Sequence, residues 1–318
     1  MTIPQDIKKQ KILIIVGPTA SGKTTLSIEI AKRFNGEVIS ADSRQVYRGL
    51  DIGTGKVTTR EMQGIPHHLL DVASPKRVFT ADDFVTRAHR TIADITARGK
   101  LPIIAGGTGF YIDALVGRIT LPDVPPDPAL RKKLADKSAA QLFALLQQKD
   151  PARATTMDTP SERNNKLRLI RALEIASANR KVAQVRLVQL HKSDLCSTYD
   201  VLWIGINPSL KVLEQNITVR LSQRLKAGMV AEARALHAAG LSYKRMQELG
   251  LEYRSLARYL QGKISHTEME AELNRDIRRY AKKQLAYWKR NADIHWITPA
   301  QSKSVFSHIH KWDNAKSK

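Results

Sequence analysis

A phosphate-binding pattern near the N-terminus restricts the fold more than any other feature of this chain. Residues 17–24 read Gly-Pro-Thr-Ala-Ser-Gly-Lys-Thr and match G-x-x-x-x-G-K-[ST] in full. An apolar run, residues 12–16, comes before the pattern, and an amphipathic stretch, residues 26–34, comes after it. The context predicts a buried strand, a loop whose backbone N–H groups surround phosphate oxygens, and a helix whose N-terminus faces the anion.

This loop, called the P-loop below, predicts a role for each kind of residue in it. Lys23 would place a point charge on the phosphates, and the hydroxyl of Thr24 could bind Mg²⁺. The pattern is compatible with a diphosphate or with a nucleotide triphosphate such as ATP, and it does not distinguish them. The predicted diphosphate-binding residues are Gly17, Pro18, Thr19, Ala20, Ser21, Gly22, Lys23 and Thr24.

Short apolar runs alternate with amphipathic stretches through the first third of the chain. They cover residues 12–16, 26–34, 37–40, 84–98 and 101–105. This β-α-β-α-β order predicts an α/β fold: a parallel sheet core with helices on both faces and ligands bound at the carboxyl ends of strands. We therefore expect the chemistry at Gly17, Asp42 and Gly106.

The α/β pattern is interrupted in the middle of the chain. A proline-rich stretch, residues 121–128, marks a connection, and helical patterns follow at 129–148 and 165–178. An apolar run at 201–206 predicts a return to the sheet. We expect a first part of the core at 1–120, a small helical insertion domain at 121–198, and the return strand with C-terminal basic helices at 199–318.

Asp42 lies just beyond the second predicted strand and has two possible functions. It could bind Mg²⁺ or accept a proton from a substrate, or it could only cap the next segment. Residues 106–111 form a second glycine-rich turn that opens a helix, which is compatible with a ligand site or with a tight turn alone. For the pair His67 and His68 we expect packing or a turn rather than a metal site, because no third ligand is evident.

Charge and cysteine content indicate the class of partner and the compartment. Lys and Arg number 52 against 30 Asp and Glu, a net charge of +22, which favours a polyanionic partner. The single cysteine, Cys196, excludes a disulfide within one chain and is expected to be a packing residue, so the cell interior fits best. The apolar run at 12–16 is too short for a signal peptide or a membrane span.

A basic amphipathic helix is predicted near the C-terminus, over residues 275–290. Its apolar stripe is Ile277, Ala281, Leu285 and Trp288. The other side is basic, which favours phosphate contacts over a merely solvated face. The cations of that side are Arg275, Arg278, Arg279, Lys282 and Lys289.

Several ordered segments together resemble the tRNA dimethylallyltransferase family, also called tRNA isopentenyltransferase, in its bacterial form. The resemblance covers most of the chain. Besides residues 17–24, the segments are Ala-Asp-Ser-Arg-Gln-Val-Tyr at 41–47, Asp-Ile-Gly-Thr-Gly-Lys at 51–56, Pro-His-His-Leu-Leu-Asp at 66–71, Gly-Gly-Thr-Gly-Phe-Tyr at 106–111, Arg-Ala-Leu-Glu at 171–174 and Ala-Lys-Lys-Gln at 281–284.

The resemblance implies transfer of a dimethylallyl group from dimethylallyl diphosphate to N6 of the adenosine 3′ to the anticodon in tRNA. It implies that Asp42 is the general base, that Thr24 binds Mg²⁺, and that Arg220 meets the diphosphate opposite Lys23, with Arg224 a weaker candidate. It implies a cytoplasmic enzyme, and we expect a monomer. The predicted tRNA-binding residues, the last two from the basic helix, are Asp42, Ser43, Arg44, Gln45, Thr108, Asn165, Lys166, Leu167, Arg168, Arg278 and Lys282.

Two segments depart from the family pattern. Residues 224–232 are shorter than usual, and residues 250–254 replace the common Gly-Tyr-Lys/Arg form, which puts tRNA contacts there in doubt. Two other functions are compatible with parts of the sequence. A small-molecule kinase would use the P-loop, and a non-catalytic RNA-binding module would account for the charge.

Overall fold

The computed structural model of the protein describes residues 9–186 and 199–315. The chain divides into two compact units, one made of Met1–Ile119 with Cys196–Lys318 and the other of Thr120–Leu195. The predicted boundary at residue 198, and Cys196 with its expected packing role, lie outside the described residues.

A parallel sheet forms the core of the first unit, as predicted. In the described residues it has six strands in the order β3-β2-β4-β1-β5-β6, and every neighbouring pair is parallel. The central strands are buried on both faces, which explains why they read as unbroken apolar runs. The strands are β1 Gln10–Val16, β2 Gly36–Ser40, β3 His67–His68, β4 Leu101–Ala105, β5 Tyr199–Ile206 and β6 His295–Ile297.

Helices connect the strands and build the second unit. Those before the second unit are α1 Lys23–Arg33, α2 Thr59–Met62, α3 Ala81–Ala97 and α4 Gly109–Leu115. Those of the second unit are α5 Pro128–Leu134, α6 Ala139–Lys149, α7 Pro151–Thr156, α8 Pro160–Arg163 and α9 Lys166–Arg186. Those after it are α10 Leu210–Lys226, α11 Met229–Ala238, α12 Tyr243–Leu249, α13 Leu251–Leu260, α14 His266–Trp288 and α15 Val305–Asn314.

Both faces of the sheet are covered by helices. On one face, Phe84 and Ile92 of α3 and Trp288 of α14 pack in the cluster that contains alternate residues of β1. On the other face, α1 and α15 pack against Leu13 and Ile15 of β1. Helices α10 to α14 share a further apolar cluster with Tyr47 and Leu50. This arrangement brings the C-terminal helices to the segment that follows β2.

The second unit is a small helical domain, in agreement with the predicted helical character. The stretch 129–148, predicted as one helical pattern, contains two helices, because the Ser138 side chain accepts a hydrogen bond from Gln141 N and starts α6 with a capping box. The carboxylate of Glu174, with no exposed side-chain surface, pairs with Arg131 and Arg171. The pair with Arg131 holds α9 to α5 within this unit.

The pair His67 and His68 forms the short edge strand β3, and the expected structural role agrees with the contacts. His68 Nε2 lies 2.7 Å from Glu37 Oε2, and Arg98 and Lys100 bind the same buried carboxylate. His67 Nδ1 lies 2.9 Å from Ile65 O, and burial lowers the pKa of His67. In the described residues, no helix is both long and apolar enough to cross a membrane.

Candidate functional site

Three strand ends meet at one cleft, where the sequence predicts the chemistry. The cleft has a volume of about 1010 Å³ and is bordered by the P-loop after β1, by Asp42 after β2 and by Gly106 after β4. Residues of α10, α13 and α14 form the opposing wall. A cleft at the carboxyl ends of parallel strands is where α/β proteins bind their ligands.

The backbone of the P-loop requires glycine at its first position. Gly17 has φ of +148°, and a Cβ there would lie only 2.7 Å from the carbonyl oxygen of Ile206. Gly22, just before α1, has φ of +95°, and Ala20 takes a positive φ of 60° although it carries a side chain. The loop is therefore held in a conformation that ordinary residues adopt at a cost.

Lys23 is the cation at the base of this loop. Its Nζ donates to the carbonyl oxygens of Pro18 at 2.6 Å and Gly17 at 3.0 Å. Removal of the ammonium group from water lowers the pKa of Lys23 to about 8; the carboxylate of Asp42 raises it, and the cation of Arg220 lowers it. Lys23, Asp42 and Arg220 all line the same cleft.

Asp42 caps the turn after β2 through one of its two carboxylate oxygens. Its Oδ1 accepts hydrogen bonds from Arg44 N at 2.8 Å and Gln45 N at 3.3 Å, so this oxygen caps the turn after β2. Its Oδ2 accepts no hydrogen bond from the described part of the chain. One carboxylate oxygen is thus fixed by the backbone, and the other remains for a ligand in the cleft.

The second glycine-rich turn supports the turn that carries Asp42. Thr108 Oγ1 accepts a hydrogen bond from Ser43 N at 3.0 Å, and Thr108 N donates to Ala41 O at 3.2 Å. A Cβ on Gly106 would lie 2.2 Å from Ala41 O, so only glycine fits at this approach of two strand ends. Thr108, predicted to contact tRNA, is therefore already part of the scaffold around Asp42.

Arg220 of α10 lines the cleft across from the P-loop. It makes no ion pair with the described residues, and a Cβ on Gly55 would lie 3.1 Å from its Nη2. Removal from water, followed by repulsion from Arg224, lowers the pKa of Arg220, which remains a cation at neutral pH. An unpaired guanidinium in a cleft is suited to bind phosphate oxygens.

Arg224 differs from Arg220 because its guanidinium is occupied by protein atoms. Its Nε donates to Ile52 O at 2.7 Å, and its Nη2 contacts Gly53 O and lies 3.0 Å from Glu252 Oε1. Arg224 therefore holds the loop after β2 through its Nε and Nη2 groups.

Oxygen ligands for a metal are available at the cleft. The side chain of Thr24 is exposed at the start of α1, and Asp42 offers its free Oδ2. In the residues that the structure describes, no group of three or more His, Cys, Asp or Glu side chains is placed to hold a metal ion. Such a site fits Mg²⁺, which commonly takes one or two protein oxygens and obtains the rest from substrate phosphates and water.

Helix α14 presents two different sides, as its sequence predicts. Ile277, Ala281, Leu285 and Trp288 are buried. The predicted RNA contacts Arg278 and Lys282 share one carboxylate, that of Glu214, at 3.8 and 3.4 Å. Since one acid faces two cations, a positive charge remains on this side. Arg279, Tyr280 and Lys283 of the same helix line the cleft.

The predicted RNA-binding residues of the second unit lie at the start of α9. Asn165 Oδ1 accepts from Arg168 N at 3.2 Å and caps this helix, while Lys166 Nζ donates to Ala135 O at 3.0 Å. Leu167 is 81% exposed, and Arg168 pairs with Glu162. These residues form an exposed helix end with one unpartnered apolar side chain.

Comparison with known proteins agrees with the predicted family. The family model described as IPP transferase matches residues 45–291. A tRNA dimethylallyltransferase of Pediococcus pentosaceus is 38% identical over 315 residues, which cover 96% of this chain and 98% of that protein. The tRNA dimethylallyltransferase 2 of Citrifermentans bemidjiense is 41% identical over 290 residues, which cover 90% of this chain and 90% of that protein. The chain belongs to the IPP transferase family.

A solved member of the IPP transferase family has the same architecture. The full-length tRNA isopentenylpyrophosphate transferase from Bacillus halodurans, known from a crystal structure, shares 35% sequence identity with this chain. The two structures match with a TM-score of 0.70 over 96% of this chain and 97% of that one. The resemblance predicted from the ordered motifs is thus confirmed at the level of family and fold.

Some residues of this IPP transferase site could not be assigned from sequence. Gln284 belongs to the motif at 281–284, from which no role could be assigned to it. The structure places its side chain between the P-loop and Gly107. Glu232 accepts three backbone hydrogen bonds from residues 51–53. Residues Gly250 to Arg254, where the sequence departs from the family pattern, line the cleft except for the buried Tyr253. Tyr280 is an aromatic residue of the wall, which pattern alone would assign to the core.

Proposed function

We propose that this protein transfers a dimethylallyl group from dimethylallyl diphosphate to N6 of the adenosine 3′ to the anticodon of tRNA and releases diphosphate. The single observation that supports this most is the position of Asp42, with one free carboxylate oxygen, in the same cleft as Lys23 and Arg220. Relatives named tRNA dimethylallyltransferase, similar over almost the whole chain, support the choice of both substrates.

The cations of the cleft suit a diphosphate leaving group. In the reaction, a bond forms between C1 of the prenyl group and N6 of adenine, while the bond from C1 to the diphosphate oxygen breaks with its electron pair. Negative charge therefore grows on the diphosphate. Lys23 on one wall and Arg220 on the other can stabilise that charge, which is the usual source of most catalytic power in such sites.

Asp42 is the proposed general base. The exocyclic amine of adenine is a weak nucleophile because its lone pair is delocalised into the ring, and it must lose a proton as the new bond forms. The free Oδ2 of Asp42 can accept that proton, while hydrogen bonds from Arg44 N and Gln45 N to Oδ1 keep the group in place.

Thr24 would hold Mg²⁺ together with oxygens of the donor's diphosphate. The ion would neutralise part of the charge on the leaving group. Backbone N–H groups of the P-loop would bind the same diphosphate and so orient the donor in the cleft.

The proposed RNA surface joins the cleft to the exposed basic side of α14. The net charge of +22 supports a polyanionic substrate, and Arg278, Arg279, Lys282 and Lys283 provide phosphate contacts along one helix. The target adenine must leave its stack to reach Asp42, as in other enzymes that act on a base. The turn from Asp42 to Gln45, Thr108 and the start of α9 are the further proposed contacts. We further propose a monomer that acts in the cytoplasm, where its tRNA substrate is found.

The test is prenyl transfer with a matched pair of variants. Purified protein, Mg²⁺ and dimethylallyl diphosphate are incubated with unmodified tRNA that carries adenosine 3′ to the anticodon, and the nucleosides are analysed by mass. Isopentenyladenosine is expected with the wild-type protein and with Asp82→Asn, an exposed change on α3. Asp42→Asn keeps an oxygen for the two backbone donors and should lower turnover by about 10²–10⁴-fold.

Two outcomes would contradict the proposal. Full activity of Asp42→Asn would remove Asp42 as the base. Absence of isopentenyladenosine from every tRNA tried, together with consumption of ATP and a phosphorylated small molecule, would favour a kinase that uses the P-loop for a phosphoryl donor.

A further inference from the structure

Gln284 joins two parts of the site that come from distant parts of the sequence. Its Oε1 accepts a hydrogen bond from Thr19 N in the P-loop at 2.8 Å, and its Nε2 donates to Gly107 O at 3.1 Å. The N–H of Thr19 can only donate, and the carbonyl of Gly107 can only accept. These two partners therefore determine which atom of the side-chain amide is the oxygen and which is the nitrogen. Gln284 is only 6% exposed, so bulk water cannot readily replace either of these two hydrogen bonds.

The contact with Thr19 fixes the orientation of one peptide group. The peptide between Pro18 and Thr19 is planar and trans, so its N–H and C=O point in opposite directions. Gln284 holds the N–H, and Pro18 O on the other side accepts a hydrogen bond from Lys23 Nζ at 2.6 Å. A rotation of this peptide would therefore turn the carbonyl away from Lys23.

The neighbouring backbone leaves little room for another arrangement. A Cβ on Gly107 would lie 2.0 Å from Gln284 Nε2, so the amide sits directly against this turn. Ala20, which follows Thr19, already takes a positive φ. A strained loop needs surrounding contacts to maintain its conformation, and Gln284 provides one from α14.

We propose that Gln284 is a positioning residue that holds the Pro18–Thr19 peptide, and with it the ammonium group of Lys23, in the orientation that receives the diphosphate of the donor. The inference deepens the proposed function, because it concerns the diphosphate end of the same substrate. Gln284 acts through Lys23 and the loop backbone and does not itself touch the reacting atoms.

The experiment compares Gln284→Met with Glu272→Gln. Methionine has nearly the same length and shape but cannot accept from Thr19 or donate to Gly107. Glu272 lies on the same helix, twelve residues away, and its change weakens contacts with Ser255 and Arg258 instead. Binding of inorganic diphosphate with Mg²⁺ is measured by calorimetry, and KM is measured separately for dimethylallyl diphosphate and for tRNA.

We expect Gln284→Met to weaken diphosphate binding and to raise KM for dimethylallyl diphosphate about tenfold, the equivalent of one hydrogen bond, with KM for tRNA unchanged. Glu272→Gln should lower thermal stability without either effect. Gln284→Asn, which keeps an amide one methylene too short for both partners, should weaken diphosphate binding severalfold and serves as the milder variant if the methionine protein folds poorly.

Unchanged diphosphate affinity in folded Gln284 variants would overturn the proposal and leave only a contribution to stability. A rise in KM for tRNA with normal diphosphate binding would also overturn it, since Gln284 would then serve the RNA. Diphosphate binding does not require prenyl transfer, so dependence of that binding on Gln284 in a protein without transferase activity would refute the proposed function alone.

Discussion

Glu232 of α11 offers a sharp test of how the cleft is built. Its Oε2 accepts hydrogen bonds from Asp51 N at 2.9 Å and Ile52 N at 2.6 Å, and its Oε1 accepts from Gly53 N at 2.9 Å and Tyr253 Oη at 2.7 Å. One carboxylate thus anchors the loop that leads to the cleft. We predict that Glu232→Ala destabilises the first unit.

The magnitude follows from which donors lose their partner. Asp51 is exposed and Ile52 is half-buried, so water can replace the carboxylate at their N–H groups. Gly53 is buried, and Tyr253 is only 1% exposed. Burial and then the charge of Glu232 raise the pKa of Tyr253, so its hydroxyl stays a donor. Leaving two buried donors unpaired costs about 3–4 kcal/mol in total.

Urea unfolding, monitored by tryptophan fluorescence, reports on the compact unit that contains Glu232. All four tryptophans belong to the first unit, at positions 203, 288, 296 and 312. With a slope of about 2.5 kcal/mol per M, the expected shift of the midpoint is about 1.2–1.6 M. Glu232→Gln keeps one acceptor oxygen and should fall between the wild type and the alanine variant.

Glu270→Ala, an exposed change on α14 without a hydrogen bond or ion pair to the described residues, is the control and should remain within about 0.5 kcal/mol of wild type. If Glu232→Ala shifts the midpoint no more than Glu270→Ala does, the four contacts do not anchor the loop, and the argument from unpaired buried donors is wrong.

Three further perturbations test other parts of the first unit. Because the pKa of Lys23 is lowered to about 8, the free protein loses this charge above that pH, and affinity for diphosphate should fall about tenfold per pH unit; calorimetry from pH 7 to 10 checks this, with Lys23→Met expected to show a flat profile. Gly106→Ala places a Cβ 2.2 Å from Ala41 O and should cost about 1–3 kcal/mol in urea unfolding and reduce turnover, since Ala41 precedes the proposed base; wild-type turnover would contradict the clash. Hydrogen bonds led by Arg98 hold the pKa of Glu37 well below its usual range, so this stabilisation is complete above the ordinary carboxyl pKa and is lost as the pH falls toward the lowered one; Arg98→Met should lower the melting temperature clearly at pH 7, this loss should shrink toward lower pH, and a loss that grew as the pH fell would refute the coupling.

The parts of the site that sequence could predict are those where short motifs fall at strand ends. The P-loop, Asp42 and Gly106 follow apolar runs that form β1, β2 and β4. In a parallel sheet those ends share one edge, so three separate motifs could be assigned to one cleft before any coordinates. The buried stripe of α14 was predictable for the same reason, because it depends only on helical period.

Side-chain contacts between distant segments could not be predicted in this way. Gln284 reaches Thr19 across 265 positions, and Glu232 reaches residues 51–53 across about 180. A glutamine on a basic helix and a glutamate on a short amphipathic helix have no local signal that names their partners. Arg224 shows the converse, since its position one turn after Arg220 favoured the cleft, whereas its guanidinium is bound to Ile52, Gly53 and Glu252.

Helix α14 connects these observations, because its sides serve different ends of the proposed reaction. Its buried side inserts Gln284 between the P-loop and Gly107, and its exposed side carries cations that two contacts with Glu214 neutralise only in part. Phosphate contacts on the exposed side weaken with salt, whereas the buried amide is shielded from it. Changes at Lys282 should therefore alter the salt dependence of tRNA binding and leave diphosphate affinity unchanged, and changes at Gln284 should do the reverse. A substitution on one side that moved both affinities together would contradict this separation of the two sides.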